Sequence, residues 1–259
     1  MLKICNLTKV FNIGTINENI VLSDFNLHVK ENEFVTVIGG NGSGKTTLLN
    51  MIAGVYMPEA GQIVLNGKDI TKMPEYKRSA LLGRVFQDPM KGTASSMEII
   101  ENLAIANRRG MSRGLGWGVK KTEKARFGEY LKLLDLGLEA RLHVKTGLLS
   151  GGQRQALTLL MATLQKPKLL LLDEHTAALD PKTAAKVLNL TNELVTDNNL
   201  TTIMITHNMK DAIRLGNRLI MMHEGKIVFD VTGEEKKNLK VTDLLSRFEG
   251  ISDRMLLSN

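Results

Sequence analysis

Short, uninterrupted apolar runs separated by turn residues recur along the chain, and they predict buried strands of a parallel sheet. The clearest run extends from Leu169 to Leu172 and ends in two carboxylates, Asp173 and Glu174. A second run covers residues 33–38 and leads into a glycine-rich loop, and two more lie at 201–206 and 219–222. Because α/β sheets bind ligands beyond the carboxyl ends of their strands, we expect the acids and the glycine loop to share one site.

The remaining segments show other patterns. Residues 2–69 alternate apolar runs with turn residues, and the Asn66-Gly67 pair predicts a hairpin. Helical periodicity from about 88 to 149 predicts an inserted helical lobe. Within it, the glycine- and arginine-rich stretch 108–118 predicts a loop, either a plain surface excursion or a contact for a partner protein or lipid headgroups. The polar segment 232–259 is predicted to be a partly helical tail.

Length, charge and composition narrow the class. The 259 residues suffice for one large α/β domain but are few for two nucleotide domains. No apolar run approaches the roughly 18 residues needed to span a bilayer. A single cysteine and a start without the apolar core of a secretory signal favour the cytoplasm. The net charge of +7 fits nucleic acid, anionic lipid or a solvated surface, but aromatics at 4% argue against a stacking platform for single-stranded nucleic acid.

The glycine-rich loop fits the phosphate-binding pattern G-x-x-x-x-G-K-[ST]. Its glycines let successive backbone N–H groups face phosphate oxygens, and the helix predicted from Lys45 to Ala53 adds the positive end of its dipole. Lys45 is expected to reach the β- and γ-phosphates, and Thr46 to hold Mg²⁺ with Asp173. The predicted nucleotide-binding residues of the loop are Gly39, Gly40, Asn41, Gly42, Ser43, Gly44, Lys45, Thr46 and Thr47.

Six motifs, in one order, resemble those of the ATP-binding subunit of an ABC transporter over most of the chain. They are similar to Walker A (39–46), the Q-loop (Gln87), the signature Leu-Ser-Gly-Gly-Gln (149–153), Walker B (168–174), the D-loop (177–180) and the switch histidine (His207). The resemblance implies an α/β fold: a P-loop NTPase (RecA-like) core with an N-terminal antiparallel β region and an inserted α-helical lobe.

The resemblance also implies a division of the chain and a set of roles. A single ABC ATPase domain is expected over 1–259, with the nucleotide-binding core at 1–87 and 156–231, the lobe with the signature at 88–155, and the tail at 232–259. Glu174 is expected to polarise the water that attacks the γ-phosphate, which contributes on the order of 10²–10⁴-fold. The implied catalytic residues are Glu174, His207, Gln87 and Lys45, and the implied metal-binding residues are Thr46, Gln87 and Asp173.

Two further sets of residues complete the implied site. Phe11 is expected to stack on adenine, although an aromatic at a strand end is also typical of a core residue. Ser150, Gly151 and Gly152 precede a helix and offer N–H groups to an anion. In the family that anion is the γ-phosphate held by Lys45 of a second copy, so the resemblance implies a head-to-tail homodimer. Gln153 and Asp180 are expected at the same interface between the two copies.

The segments 75–78, 86–90 and 173–176 resemble those of the ATPases of bacterial importers. This resemblance implies an importer ATPase that binds ATP and Mg²⁺ and acts on separate integral-membrane permease subunits. It also implies a solute-binding protein as an indirect partner and an amino acid such as tryptophan as the substrate. The chain is expected to lie peripherally on the cytoplasmic face of the cell membrane and to bind no nucleic acid. The alternatives are an exporter or lipoprotein-releasing ATPase, or a soluble ABC protein acting on ribosomes or DNA.

One departure from the family pattern lies beside the predicted catalytic carboxylate. His175 follows Glu174 where many relatives have proline. It is either a neutral turn residue or a group that adjusts Glu174 electrostatically.

Overall fold

The computed structural model describes residues 1–111 and 118–256. The strands within these residues are β1 (Leu2–Phe11), β2 (Asn19–Val29), β3 (Phe34–Gly39), β4 (Ala60–Leu65), β5 (Lys68–Asp69), β6 (Leu82–Val85), β7 (Leu169–Asp173), β8 (Thr202–Ile205), β9 (Arg218–His223) and β10 (Lys226–Thr232). The helices are α1 (Lys45–Ala53), α2 (Glu75–Arg78), α3 (Ile99–Asn107), α4 (Lys121–Lys132), α5 (Gly151–Thr163), α6 (Pro181–Asp197), α7 (Met209–Arg214), α8 (Gly233–Lys237) and α9 (Val241–Leu256). None of the helices in the described part of the chain is long and apolar enough to cross a membrane.

Two sheets form the framework. The first has the order β2-β1-β4-β5 and is antiparallel. The turn from β4 to β5 has positive φ at both Asn66 (51°) and Gly67 (77°), as the predicted Asn-Gly hairpin requires. The second has the order β10-β9-β3-β8-β7-β6 and is parallel apart from β10 at one edge. The predicted antiparallel region and parallel core are therefore both present.

The central strands place the predicted site at one edge of the parallel sheet. Every residue of β3 and of β7 is buried, as expected for strands covered on both faces. β8 lies between them, and Ile205 at its end pairs with Val37 of β3 and with Asp173 of β7. The loop after β3 and the acids at the end of β7 thus emerge side by side.

The helical lobe shares a hydrophobic core with the parallel sheet. Phe127 and Leu131 of α4 and Leu157 of α5 belong to the same buried cluster as Leu170 and Leu172 of β7. The boundary predicted between 155 and 156 falls inside α5, which runs unbroken from Gly151 to Thr163. The lobe and the core therefore share this helix, because its apolar face packs against both.

Two arginines of the segment 108–118 make hydrogen bonds to other parts of the chain. Arg108 donates to Glu123 at 2.8 Å, and Arg109 donates to the carbonyl oxygen of Ala162 at 3.1 Å. Both guanidinium groups therefore make contacts within the chain, and the contact with a partner or a lipid headgroup stays a prediction. Residues 112–117 of this stretch lie outside the described residues.

The polar tail is helical, as α8 and α9 show. Lys236 of α8 is almost fully buried, and its ammonium donates to the carbonyl oxygens of Leu215 and, at 2.9 Å, of Gly216. Leu244 of α9 is buried against Leu219 and Met221 of β9. The tail therefore packs onto the sheet beside the connection from α7 to β9.

Candidate nucleotide-binding site

The glycine-rich loop is shaped by close approaches of neighbouring backbone. A Cβ added to Gly39 would lie 2.3 Å from the carbonyl oxygen of Met222, so no side chain fits there. Gly44 has a φ of 94° and precedes α1, and a Cβ at this position would lie 2.9 Å from Leu22 Cδ2. The two glycines hold the loop against β9 and β2 with its backbone turned toward the start of α1.

Lys45 lies within the loop rather than on its surface. Its Nζ donates to the carbonyl oxygens of Gly39 at 2.8 Å and Gly40 at 2.9 Å, and the residue is only 5% exposed. Burial lowers the pKa of the ammonium, while the charges of Glu174 and Asp173 act in the opposite direction. A buried cation beside two acids at a helix start is suited to bind phosphate groups.

A cavity of about 260 Å³ opens beside this loop. The loop residues that line it run from Asn41 to Thr47, and Glu174 and His207 line it from the ends of β7 and β8. Asn19 and Val21 of β2 complete the wall. The structure thus brings together seven of the nine predicted nucleotide-binding residues of the loop and three of the four predicted catalytic residues, Glu174, His207 and Lys45. The other two loop residues, Gly39 and Gly40, accept hydrogen bonds from Lys45 through their carbonyl oxygens.

Glu174 and His207 touch each other at the cavity. Glu174 Oε1 lies 2.5 Å from His207 Nε2. Glu174 has a φ of 46°, and its backbone N–H donates to the carbonyl oxygen of Ile205 at 3.1 Å. The left-handed turn and this bond aim the carboxylate at the cavity, where an imidazole orients it. Such a carboxylate is placed to accept a proton from a water molecule in the cavity.

Asp173 and Thr46 supply oxygen atoms suited to a magnesium ion. Asp173 is 8% exposed, and its carboxylate lies near the Thr46 hydroxyl. Burial raises the pKa of Asp173, and the charge of Arg84 and the Thr46 hydroxyl oppose that rise. Mg²⁺ prefers one or two carboxylates together with hydroxyl, water and phosphate oxygens. The residues present therefore fit the ion predicted from the sequence.

His175 is buried, and burial lowers its pKa to about 4. Its Nε2 lies 2.9 Å from Thr191 Oγ1, and the Thr191 hydroxyl donates to the carbonyl oxygen of Val187 at 2.8 Å. The imidazole must then be the donor to Thr191 and is neutral near pH 7. The structure favours the interpretation of His175 as a neutral turn residue that holds the segment after β7 to α6.

The signature residues lie apart from this cavity, at the start of α5. Ser150 Oγ accepts the N–H of Gln153, and the Gln153 side chain accepts the N–H of Ser150, both at 3.2 Å. Asp180 accepts the N–H of Thr183 at the start of α6. A Cβ on Gly152 would lie 2.0 Å from Thr183 Cγ2, so the two helix starts touch. Ser150, Gly151, Gly152, Gln153 and Asp180 are not among the residues that line the cavity beside Lys45.

Two further predicted residues, Gln87 and Phe11, are not among the residues that line the cavity. Gln87 is exposed just after β6, the edge strand beside β7. Phe11 is half-buried, with its ring edge-on to Tyr56 at a centroid distance of 5.2 Å, and it pairs with the cavity-lining Asn19. The roles predicted for both residues stay predictions.

Two residues that sequence reasoning missed surround Phe86, next to Gln87. Arg84 donates to Asn50 Oδ1 at 2.5 Å, and its guanidinium carbon lies 4.5 Å from the centre of the Phe86 ring. Gln155 donates to the carbonyl oxygen of Phe86 at 2.9 Å. The only sequence signal for these contacts was the position of Arg84, a charged residue within the otherwise apolar strand β6.

The loop, the buried lysine and the paired acidic and histidine side chains define an ATP-hydrolysing P-loop protein. The family model described as ABC transporter matches residues 22–177, and the chain belongs to this family as an ATP-binding subunit. ATP hydrolysis in this family is coupled to transport.

Relatives and a solved structure agree with this assignment. The chain is 46% identical over 252 residues to a tyrosine transport ATP-binding protein of Clostridioides difficile (strain R20291), covering 96% of this chain and 99% of the relative. It is 34% identical to the spermidine/putrescine import ATP-binding protein PotA of Mesorhizobium japonicum, spanning 88% of this chain but 59% of that protein. The post-hydrolysis dimer of the ATP-binding cassette MJ0796, bound to ADP and Pi, has a TM-score of 0.76 at 29% identity, with 90% and 98% of the two chains covered.

Proposed function

We propose that this chain is the ATPase of an importer, in which two copies bind MgATP at their interface and drive an amino acid through separate integral-membrane permease subunits. The observation that carries the proposal is the 46% identity, over 96% of the chain, to a tyrosine transport ATP-binding protein. In this arrangement the chain lies peripherally on the cytoplasmic face of the cell membrane. A solute-binding protein delivers the substrate to the permease and has no direct contact with the chain.

The residues of the cavity divide the chemistry of hydrolysis between them. The loop and Lys45 bind the phosphate groups of ATP, and Thr46 and Asp173 would hold Mg²⁺, which neutralises phosphate charge when bound. Glu174 accepts the proton of the attacking water, and His207, 2.5 Å away, keeps the carboxylate turned toward the cavity. Gln87, in the segment after β6, would contribute to Mg²⁺ binding and to catalysis.

The separation of the signature from the cavity supports the two-copy arrangement. Ser150, Gly151 and Gly152 begin a 13-residue helix, and the start of such a helix attracts anions. None of the three residues lines the cavity of the same chain. A second copy, arranged head to tail, places the γ-phosphate of its bound ATP against these three residues. By the two-fold symmetry, its own signature contacts the ATP of the first copy. The MJ0796 cassette, which resembles this chain, is described as a dimer.

The substrate we propose is an aromatic amino acid. Tyrosine is the first candidate, because the name of the 46% identical relative contains it. Tryptophan stays a prediction from the resemblance. No residue of this chain touches the transported molecule in the proposed arrangement, so the test must use the assembled transporter.

The test is affinity purification of the tagged chain from membranes, followed by uptake of labelled tyrosine and tryptophan into vesicles that contain the purified complex. We expect recovery with a permease and ATP-dependent uptake of an aromatic amino acid. The matched control is Glu174→Gln, which keeps the complex but stops uptake. Recovery with a permease that carries a large extracytoplasmic domain, together with ATP-driven release instead of uptake, would support the exporter or lipoprotein-releasing alternative.

A further inference from the structure

The polypeptide that follows β6 is fixed to α5 at two points. The Gln155 side chain donates to the carbonyl oxygen of Phe86 at 2.9 Å. Three residues further along α5, Thr158 packs against Gly92, where an added Cβ would lie 2.2 Å from Thr158 Cγ2. Residues three apart lie on one face of a helix. Residues 86–92, called the crossing segment below, therefore run along a single face of α5.

Apolar packing does not explain the choice of glutamine at position 155. The residue is fully buried, and within residues 1–111 and 118–256 its Oε1 has no hydrogen-bond partner. A buried acceptor without a partner lowers stability, whereas methionine would fill the same space without that loss. The contribution of Gln155 that remains is the hydrogen bond from its amide to the crossing segment.

The start of the crossing segment packs against Arg84, whose charge acts on the predicted magnesium ligand Asp173. The Arg84 guanidinium covers the Phe86 ring and donates to Asn50 of α1, the helix that begins with Lys45. The charge of Arg84 also acts on Asp173. Phe86 is therefore held through its ring by Arg84, which is itself bonded to α1, and through its carbonyl oxygen by α5, the helix that begins at the signature.

We propose that Gln155 is a positioning residue that fixes the orientation of α5, and with it Ser150 to Gly152, relative to the ATP cavity of the same chain. This inference rests on the proposed function, since the signature has a phosphate to contact only in the dimer. When the hydrogen bond to Phe86 is lost, the chain still binds ATP through its own loop. The signature is then held less firmly in position for the second copy, so hydrolysis slows.

The test is Gln155→Met, with Gln165→Met as its matched control. Gln165 lies just after α5 and donates to the backbone oxygen of Asn107 at 2.5 Å, so the control loses a comparable amide contact away from the crossing segment. Three quantities are measured: the thermal midpoint, the affinity for a fluorescent ATP analogue, and kcat at saturating MgATP. For Gln155→Met we expect an unchanged or higher midpoint, an affinity within about two-fold of the parent, and a kcat lower on the order of ten-fold, the worth of one hydrogen bond. Gln165→Met keeps its kcat.

A second variant tests the same segment independently of Gln155. Gly92→Ala pushes the crossing segment away from Thr158, and we expect it also to lower kcat while ATP affinity is retained. A parental kcat in both variants, or a kcat that falls only in proportion to the folded fraction, would overturn the proposal. If instead the parent protein fails to form an ATP-dependent dimer in light scattering, the proposed function falls, so the two failures are distinguishable.

Discussion

Replacing His175 by glutamine should remove a specific acid sensitivity of the fold. His175 is 2% exposed, and burial lowers its pKa to about 4 from 6.5. Between these values the unfolded chain binds more protons than the folded one, so the free energy of unfolding falls as the pH drops. The two pKa values correspond to a loss of about 2 kcal/mol between pH 7 and pH 5 from this residue alone. Glutamine does not titrate, and its amide still donates to Thr191.

The assay is urea unfolding of the parent and His175→Gln at pH 7 and at pH 5. Titrations of other groups are common to both proteins and cancel when the pH effect in one is subtracted from that in the other. We expect the parent to lose about 2 kcal/mol more than the variant. Equal losses would refute the reasoning. The pH dependence of ATP hydrolysis between pH 6.5 and 8 should also be unchanged in the variant, and a shifted profile would revive an electrostatic action on Glu174.

Three other predictions follow from contacts at the site and the tail. Gly152→Ala should lower the free energy of unfolding in urea by about 1–3 kcal/mol, because its Cβ would lie 2.0 Å from Thr183 Cγ2; adding Thr183→Ser, which removes that methyl group, should restore most of the loss. Arg84→Met should make the Mg²⁺ concentration needed for half-maximal hydrolysis rise more steeply as the pH is lowered, because loss of the arginine charge further raises the pKa of the buried Asp173 and protons then compete better with the ion; the same pH dependence in both proteins would contradict this. Burial lowers the pKa of Lys236 to about 8, so the unfolded chain binds more protons than the folded one between pH 8 and 10.5, and the free energy of unfolding rises with pH in that range. The urea midpoint of Lys236→Met should lack this rise. A parallel rise in the parent and the variant would exclude a contribution of Lys236 to it.

Local sequence patterns were sufficient to predict the elements that carry the site. The apolar runs before Gly39 and before Asp173 became β3 and β7, because burial on both faces selects continuous apolar sequence. The helix predicted from Lys45 to Ala53 has those bounds in the structure. Motif order also placed Glu174 and His207, and their contact across β7 and β8 follows from neighbouring strand ends.

Contacts between segments distant in sequence were not predictable in the same way. Gln155 meets Phe86 across 69 residues, and periodicity describes only the helix or strand that each one occupies. Arg78 is fully buried and donates to the carbonyl oxygens of Met51 and Ile52 at the end of α1. A charged residue in a polar segment gives no sign that it caps another helix. The predicted boundary at 155 was placed inside α5 for a related reason, since the sequence does not show that one helix serves both the lobe and the core.

The central claim is that each hydrolysis site is built from two copies, and mixing two inactive variants tests it most directly. Gly151→Asp puts a carboxylate where the second copy's phosphate is expected, and the site tolerates a Cβ, since the nearest atom is Leu179 Cδ2 at 3.4 Å. Glu174→Gln removes the proposed catalytic carboxylate. In the proposed arrangement a mixed dimer contains one intact site, made from Glu174 of one copy and Gly151 of the other. If pairing is random and the sites act independently, mixing before ATP is added should restore about a quarter of the parent rate. A mixture no more active than its two components measured separately would contradict the account.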